Sequence, residues 1–351
     1  MSFQARPDID VSWAQAYGES LELVAEAERL GIDDVWLTEH HGEPDGYCPS
    51  PNVVAAAIAA VTSRMQIAQA VALAPLQGHP LRMAEDYAVV DNLSGGRVEM
   101  GLGQGYRREE FEAFGLRYER RTRAFEEALD ILDLAWSGER FNYEGSVYRT
   151  TAGVLTPAPV NPGLPPLWLG AATPKARQRA VRRRAGLVIS LLTDHEHTAR
   201  QFESFQREVN HQGGGQLPRA LIREVFVGDT DEEALAGAKE YLDYVYRVQY
   251  SPERTGITYV DEQTGERKQI RSGDDPYYLS RPFIDQRFVV GSPESCAAKI
   301  TQIIDTMRLD RFIFRPQFPG QPLDDAVSTI RRMTTEVMPL VKAHSSRCTP
   351  P

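Results

Sequence analysis

Cysteine is scarce. Cys48, Cys296 and Cys348 are the three in 351 residues, and their wide spacing argues against a disulfide framework or a zinc knuckle. No apolar run approaches the roughly 20 residues of a membrane span, and the opening "MSFQARPDID" has no apolar signal segment. A soluble protein of a reducing, cytoplasmic compartment is expected. Positive charge is also short: 39 Lys and Arg stand against 49 Asp and Glu, a formal charge of −10. That lacks the basic surface needed to displace counterions from nucleic-acid phosphates. What remains is an ordinary globular composition, 42% apolar and 25% charged, in a chain long enough to bury a substantial core.

Apolar, strand-like runs alternate with amphipathic helices. "SLELVAEAERLG" (20–31) reads as a helix stopped by Gly31, and "SPNVVAAAIAAVTS" (50–63) as an Ala-rich helix opened by Ser50-Pro51. Strands are expected near 2–5, 34–38, 65–73, 97–102, 167–171, 187–191, 220–227 and 311–315. Eight strands alternating with helices predict an α/β fold, a (β/α)8 TIM barrel forming one domain over 1–351. Two insertions interrupt the alternation. One, near 139–166, follows the fourth strand and reads as a small hairpin or extended excursion. The other, near 250–288, precedes the last helix-strand unit and reads as a loop over the site. A doubly wound sheet is the rival, but no dinucleotide fingerprint follows the first strand.

In such a barrel, chemistry sits at the C-terminal strand ends. "DVWLTEHH" (34–41) ends an apolar run in one carboxylate and two imidazoles. Neighbouring strand residues point to opposite faces, so only one of His40 and His41 is expected to face the axis. Adjacent histidines are poorly placed to share a metal ion. "DHEH" (194–197) has the better spacing but reads as a helix start capped by Asp194. "GLGQGY" (101–106) fails the GxGxxG pattern at Tyr106; Gly103 instead lets the backbone approach a planar ligand, or simply makes a tight loop. "GAATPKA" (170–176) joins a strand to a helix. Ala171, Ala172 and Thr173 there offer free N–H groups and a hydroxyl to a phosphate, or Thr173 is an ordinary helix cap. The basic clusters "RRTR" (120–123) and "RRRAG" (182–186) are possible phosphate contacts; the second is read as a solvated face.

Together these segments resemble the bacterial luciferase-like family of flavin-dependent monooxygenases. The resemblance is carried by "GIDDVWLTEHH" (31–41), the run from Ser50 to Tyr106, and "EEFEAFG" (109–115). It extends through "PLWLGAAT" (166–173), "REVFVGDTDEEA" (223–234), "VGSPESCAAKI" (290–300) and "TEVMPLV" (335–341). It implies a (β/α)8 barrel, reduced flavin mononucleotide (FMN), and oxygenation of a small organic substrate by molecular oxygen through a flavin hydroperoxide. It places His40 at the family's catalytic histidine and His79 at a second histidine near the active site. It also implies a non-proline cis peptide beneath the flavin, at Val71–Ala72, and a homodimer through the Ala-rich helix.

The chain departs from the family in three places. "MSFQARP" matches only part of the usual first strand, which is expected to be short. Gln104 stands where a phosphate-binding arginine is found, so the charge is expected from Arg107 or Arg121. Ala171-Ala172 replaces a side-chain hydroxyl. The absence of a dinucleotide motif implies a separate flavin reductase as transient partner. The runner-up is a deazaflavin (coenzyme F420)-dependent oxidoreductase of the same fold. A metallohydrolase using His40, His79 and His195, and a flavin-binding protein without activity, are the distant rivals.

Overall fold

The computed structural model describes residues 1–261 and 264–348. The chain divides into two compact units, one of residues 1–7, 11–171 and 183–186, the other of 8–10, 172–182 and 187–351.

In the first unit, helix α1 (Trp13–Arg29) starts where the Ser12 side chain accepts the Gln15 N–H, and it buries Leu23, Val24 and Ala27. Strand β1 (Asp34–Leu37) pairs in parallel with β2 (Gln66–Gln69), with helix α2 (Pro51–Val61) between them in sequence. Strand β3 (Ala72–Leu73) leads towards α3 (Pro80–Ser94), which closes on Gly95 in the left-handed conformation. Strand β4 (Met100–Gly103) lies between β3 and β7 (Leu167–Gly170), all parallel. Gly101 is required by close approach: a Cβ there would fall 1.5 Å from the Gln69 carbonyl oxygen of β2.

Helices α4 (Arg108–Ala113) and α5 (Arg121–Trp136) follow β4, and β5 (Phe141–Glu144) and β6 (Arg149–Gly153) form an antiparallel hairpin. Glu127 of α5 fixes its turn. Its carboxylate accepts the backbone N–H groups of Ser146, Val147 and Tyr148 and the Ser146 hydroxyl, at 2.8 to 3.0 Å. Although burial opposes ionisation, these bonds hold the carboxyl at about 2, below the ordinary 4.5. A depressed carboxyl contributes stability that is complete above its ordinary value and lost as pH falls towards the folded value. Glu127→Gln is therefore expected to lower stability by about 2–3 kcal/mol at pH 7. The gap to wild type should close between pH 5 and pH 2 in urea unfolding. A gap independent of pH would show that charge is not what the turn reads.

The second unit opens with α6 (Pro174–Arg182) and is organised on a nine-residue strand, β9 (Arg219–Val227). Three strands run parallel to β9: β8 (Gly186–Ile189) along 219–221, β12 (Val289–Gly291) along 225–227, and β13 (Arg311–Arg315) along 220–224. Helix α7 (His195–His211) is capped by Asp194 and α8 (Asp231–Tyr244) by Thr230. Segment 250–288 is partly ordered into helix α9 (Pro252–Thr255), the hairpin β10 (Thr258–Val260) and β11 (Arg267–Gln269), and helix α10 (Arg281–Asp285). Residues 262 and 263 of this segment lie outside the described residues. Helices α11 (Pro293–Met307), α12 (Leu323–Arg332) and α13 (Met338–Cys348) complete the unit.

Three expectations are corrected. Residues 2–5 form no strand: Phe3 has φ +49°, which breaks an extended run, although its ring is buried and the Thr38 N–H reaches the Met1 carbonyl. The expected strand 65–73 is two strands, β2 and β3. Strand β12 was hidden at the end of the polar 250–288 segment, where the apolar run is too short to show a period. Among the described residues, no helix is long and apolar enough to cross a membrane.

Candidate active site

The chain just past β1, beyond its last residue Leu37, delivers the two histidines to different partners. His41 Nε2 lies 2.8 Å from Glu39 Oε1, and its ring packs edge-on against Phe114. Buried Glu39 also accepts the Leu73 N–H at 2.6 Å and the Gln77 amide at 2.7 Å, tying β1 to the end of β3.

His40 takes the other side. Its Nδ1 lies 2.7 Å from Glu110 Oε1, and the same oxygen accepts the His41 N–H at 3.2 Å. Tyr47 and Tyr106 pack edge-on against the imidazole. Burial lowers the His40 pKa, the bond to Glu110 opposes that shift, and the Arg107 charge adds to it. The ring is thus neutral at pH 7. A carboxylate facing Nδ1 selects the tautomer with its proton there, which leaves the Nε2 lone pair for a ligand. Glu110 was not singled out from the sequence. It lies in the acidic first turn of α4, where a carboxylate already has a reason to be.

Phe111, which follows Glu110 in the chain, belongs to an apolar floor with Leu73 and Leu76, and Val71 and Tyr118 pack against it. Val71 fills the space beside two glycines: a Cβ on Gly103 would stand 2.5 Å from Val71 Cγ2, and one on Gly170 would stand 3.3 Å from Cγ1. The non-proline cis bond is Ala70–Val71, one residue before the expected Val71–Ala72. The resemblance placed the bond in the third strand and did not fix its register to one residue. Ala72 is fully buried in β3.

The remaining predicted residues divide. His79 caps α3: its Nδ1 accepts the Leu81 N–H at 3.1 Å, so Nε2 carries the proton, 3.1 Å from the Arg149 carbonyl. Both ring nitrogens are thereby engaged with backbone. Gln104 accepts the Thr122 hydroxyl at 3.2 Å. Buried Arg107 is paired with Glu43 and lies 4.0 Å from Glu110, so its charge is committed to the histidine cluster. Arg121 stacks on Tyr118 at 3.7 Å and donates to the Tyr118 carbonyl, and its Nε is buried without a partner.

Ala171 ends the long stretch of the first unit, and Ala172 and Thr173 belong to the second. Thr173 Oγ1 accepts the Ala176 N–H at 3.3 Å, the helix-cap role. Arg177, not foreseen from the sequence, donates to the Ala172 carbonyl at 3.0 Å, and its buried Nε has no partner. In the sequence it is one arginine among several in an ordinary helix, and only the fold turns it back onto the loop. His195 accepts from Arg223 Nε at 3.3 Å in the second unit.

Within the first unit, the apolar residues around Val71, Gly103 and Gly170 offer a face that a planar flavin ring fits. Within the second unit, taken by itself, the start of α6 and the unpartnered Arg177 Nε suit a phosphate.

Comparisons with known proteins agree. Two uncharacterized proteins of Sinorhizobium fredii, y4vJ and y4wF, are each 30% identical over 52% and 63% of this chain, which spans 52% and 65% of their lengths. The oxygenase component of a flavin-dependent trigonelline monooxygenase from Acinetobacter baylyi is 23% identical over 93% of this chain and 90% of its own. An F420-dependent glucose-6-phosphate dehydrogenase of Kineococcus radiotolerans is 29% identical over about half of each chain, 49% and 52%. Among solved structures, the oxygenating constituent of 3,6-diketocamphane monooxygenase from Pseudomonas putida, in complex with FMN, superposes with a TM-score of 0.80. It is 20% identical and covers 96% of this chain and 95% of that one. That likeness shows the fold, the luciferase-like (β/α)8 barrel expected from the strand count. The luciferase-like monooxygenase profile matches residues 1–308, and the chain belongs to that family.

Proposed function

We propose that the chain is the oxygenase of a two-component flavin-dependent monooxygenase. It takes reduced FMN from a separate reductase and uses molecular oxygen. One oxygen atom enters a small organic substrate and the other leaves as water, while the flavin is oxidised. The observation that carries this reading is the His40–Glu110 pair, in which the carboxylate holds Nδ1 and fixes the tautomer of the imidazole. Bound reduced flavin supplies the electrons that activate oxygen. The chain's own residues do the rest. The apolar floor keeps water from the reacting atoms. Glu110 holds the His40 ring in one tautomer, and Nε2 accepts or returns one proton. For the phosphate, the proposed holders are Ala172, Thr173 and Arg177 at the start of α6; Arg121 is the alternative, and Gln104 accepts from Thr122, its neighbour in sequence.

Arg177→Met is expected to weaken FMN binding about tenfold in a fluorescence titration. Unchanged affinity would move the phosphate to Arg121. The second reading, an F420-dependent oxidoreductase, is favoured by the F420-dependent relatives and by the fact that a carboxylate–imidazole pair also serves hydride transfer. Titration with FMN and with the deazaflavin, side by side, separates the two.

A second copy of the chain is the proposed partner for an exposed apolar face on α2 and α3. Val53 is 71% exposed and Leu93 59%, with Val61 and Val89 beside them in the same two helices. The pair Val53→Glu and Leu93→Glu is expected to convert a dimer into a folded monomer by light scattering. A monomeric wild type would remove this face from consideration.

A further inference from the structure

The second unit buries two guanidinium groups close together in the chain's fold. Arg223 is 0% exposed and Arg287 is 1% exposed. The nearest carboxylate in an ion pair with either is Asp194, 4.0 Å from Arg287. That carboxylate is already held by Arg267, at 2.5 and 3.2 Å, and by the His197 N–H. Glu224, next in sequence to Arg223, accepts instead from the Tyr246 hydroxyl, and its pKa is raised by burial.

The donors are incompletely used as well. Arg287 makes one hydrogen bond, from Nη2 to the Thr258 carbonyl, while Nε and Nη1 are buried without partners. Arg223 Nε donates to His195 Nδ1, so the His195 proton lies on Nε2, which is buried and turned towards the Phe288 backbone without completing a hydrogen bond. A buried guanidinium whose counter-ion is 4.0 Å away and shared with Arg267, and whose N–H groups lack acceptors, is costly to hold. An anion removes both costs at once. His195 follows β8, at its C-terminal side, and Arg287 ends segment 250–288. The two meet through the His195 N–H, which donates to the Gln286 carbonyl at 2.8 Å.

We infer that this cluster is a recognition site for the anionic group of a small ligand, a carboxylate or a phosphate ester. Arg287 Nε and Nη1 and His195 Nε2 are its donors. The ligand is a substrate in so far as the monooxygenase reading holds; binding itself does not depend on flavin.

The test is thermal unfolding and calorimetric titration of the flavin-free full chain in a chloride-free buffer. Sodium benzoate, sodium phosphate and neutral benzamide are the probes, compared at matched ionic strength. Benzoate or phosphate is expected to raise Tm and to bind at least tenfold more tightly than benzamide. A response to benzoate assigns a carboxylate, and one to phosphate alone assigns a phosphate ester. Arg287→Met should lose that rise, and His195→Ala should weaken it. Should Arg287→Met fail to fold, Arg287→Lys keeps the charge, lacks the Nε–H, and should still bind at least tenfold more weakly. No anion-specific response in wild type, or a response kept in the folded Arg287 and His195 variants, overturns the site. FMN titration of the same wild-type sample reads the flavin proposal separately.

Discussion

His40→Ala is expected to lower product formed per reduced flavin by about 10²–10³-fold. FMN affinity should change by less than about threefold, because the ring's partners are Glu110 and two tyrosines. Glu110→Gln should cost about 10²-fold, since an amide can donate to Nδ1 and so force the proton onto Nε2. The two losses should not add, because both variants disable one pair. Mass spectrometry on any substrate the wild type converts reads all three enzymes. The acid limb of the pH profile carries the same information. Burial lowers the His40 pKa, so the neutral, active ring persists below the ordinary histidine value of 6.5, and activity should fail only in more acidic buffer. A limb at or above that value, or full yield from His40→Ala, would remove His40 from proton handling.

Gly101→Ala is expected to be the most damaging single methyl group in the first unit. The added Cβ would lie 1.5 Å from the Gln69 carbonyl oxygen and 2.6 Å from its carbon, and both are backbone. No rotamer change relieves that contact, so β4 and β2 must separate. Gln69 itself is buried and held by the Tyr87 hydroxyl at 2.7 Å, which leaves little room to yield. A loss of about 4 kcal/mol or more follows, with a Tm lower by about 10 °C or with no soluble protein. Gly237→Ala in α8, where a Cβ meets nothing within 4 Å, should leave Tm unchanged or slightly raised. Equal Tm values for the two variants would show that the close approach of β2 and β4 is not a real constraint.

The parts of this fold with a period were legible. Helices opened by Ser50-Pro51 or Thr230 and closed by Gly95 announce themselves locally, and most strands fell within a few residues of their expected places. Non-periodic features were not legible. Phe3 breaks the first strand through one backbone angle. The β12 strand is three residues long, and the cis bond differs by one residue from its expected register. In the site, His40 was visible because it stands just past the end of a strand. Glu110 was invisible because it reaches His40 from 70 positions away, and an acidic first turn gives no hint of that. Arg107 and Arg177 were misjudged for a similar reason. Local charge cannot tell an arginine neutralised by Glu43 from one folded back onto the Ala172 carbonyl.

The central claim is that this chain binds reduced FMN and manages its reaction with oxygen through His40. Rapid mixing of the protein, loaded with chemically reduced FMN, with oxygenated buffer tests it most directly. The account predicts a transient spectrum that is neither reduced nor oxidised flavin, a delayed rise of oxidised flavin, and a shorter delay in His40→Ala. Oxidation at the rate of free flavin in both proteins, or binding of the deazaflavin with no binding of FMN, would contradict it.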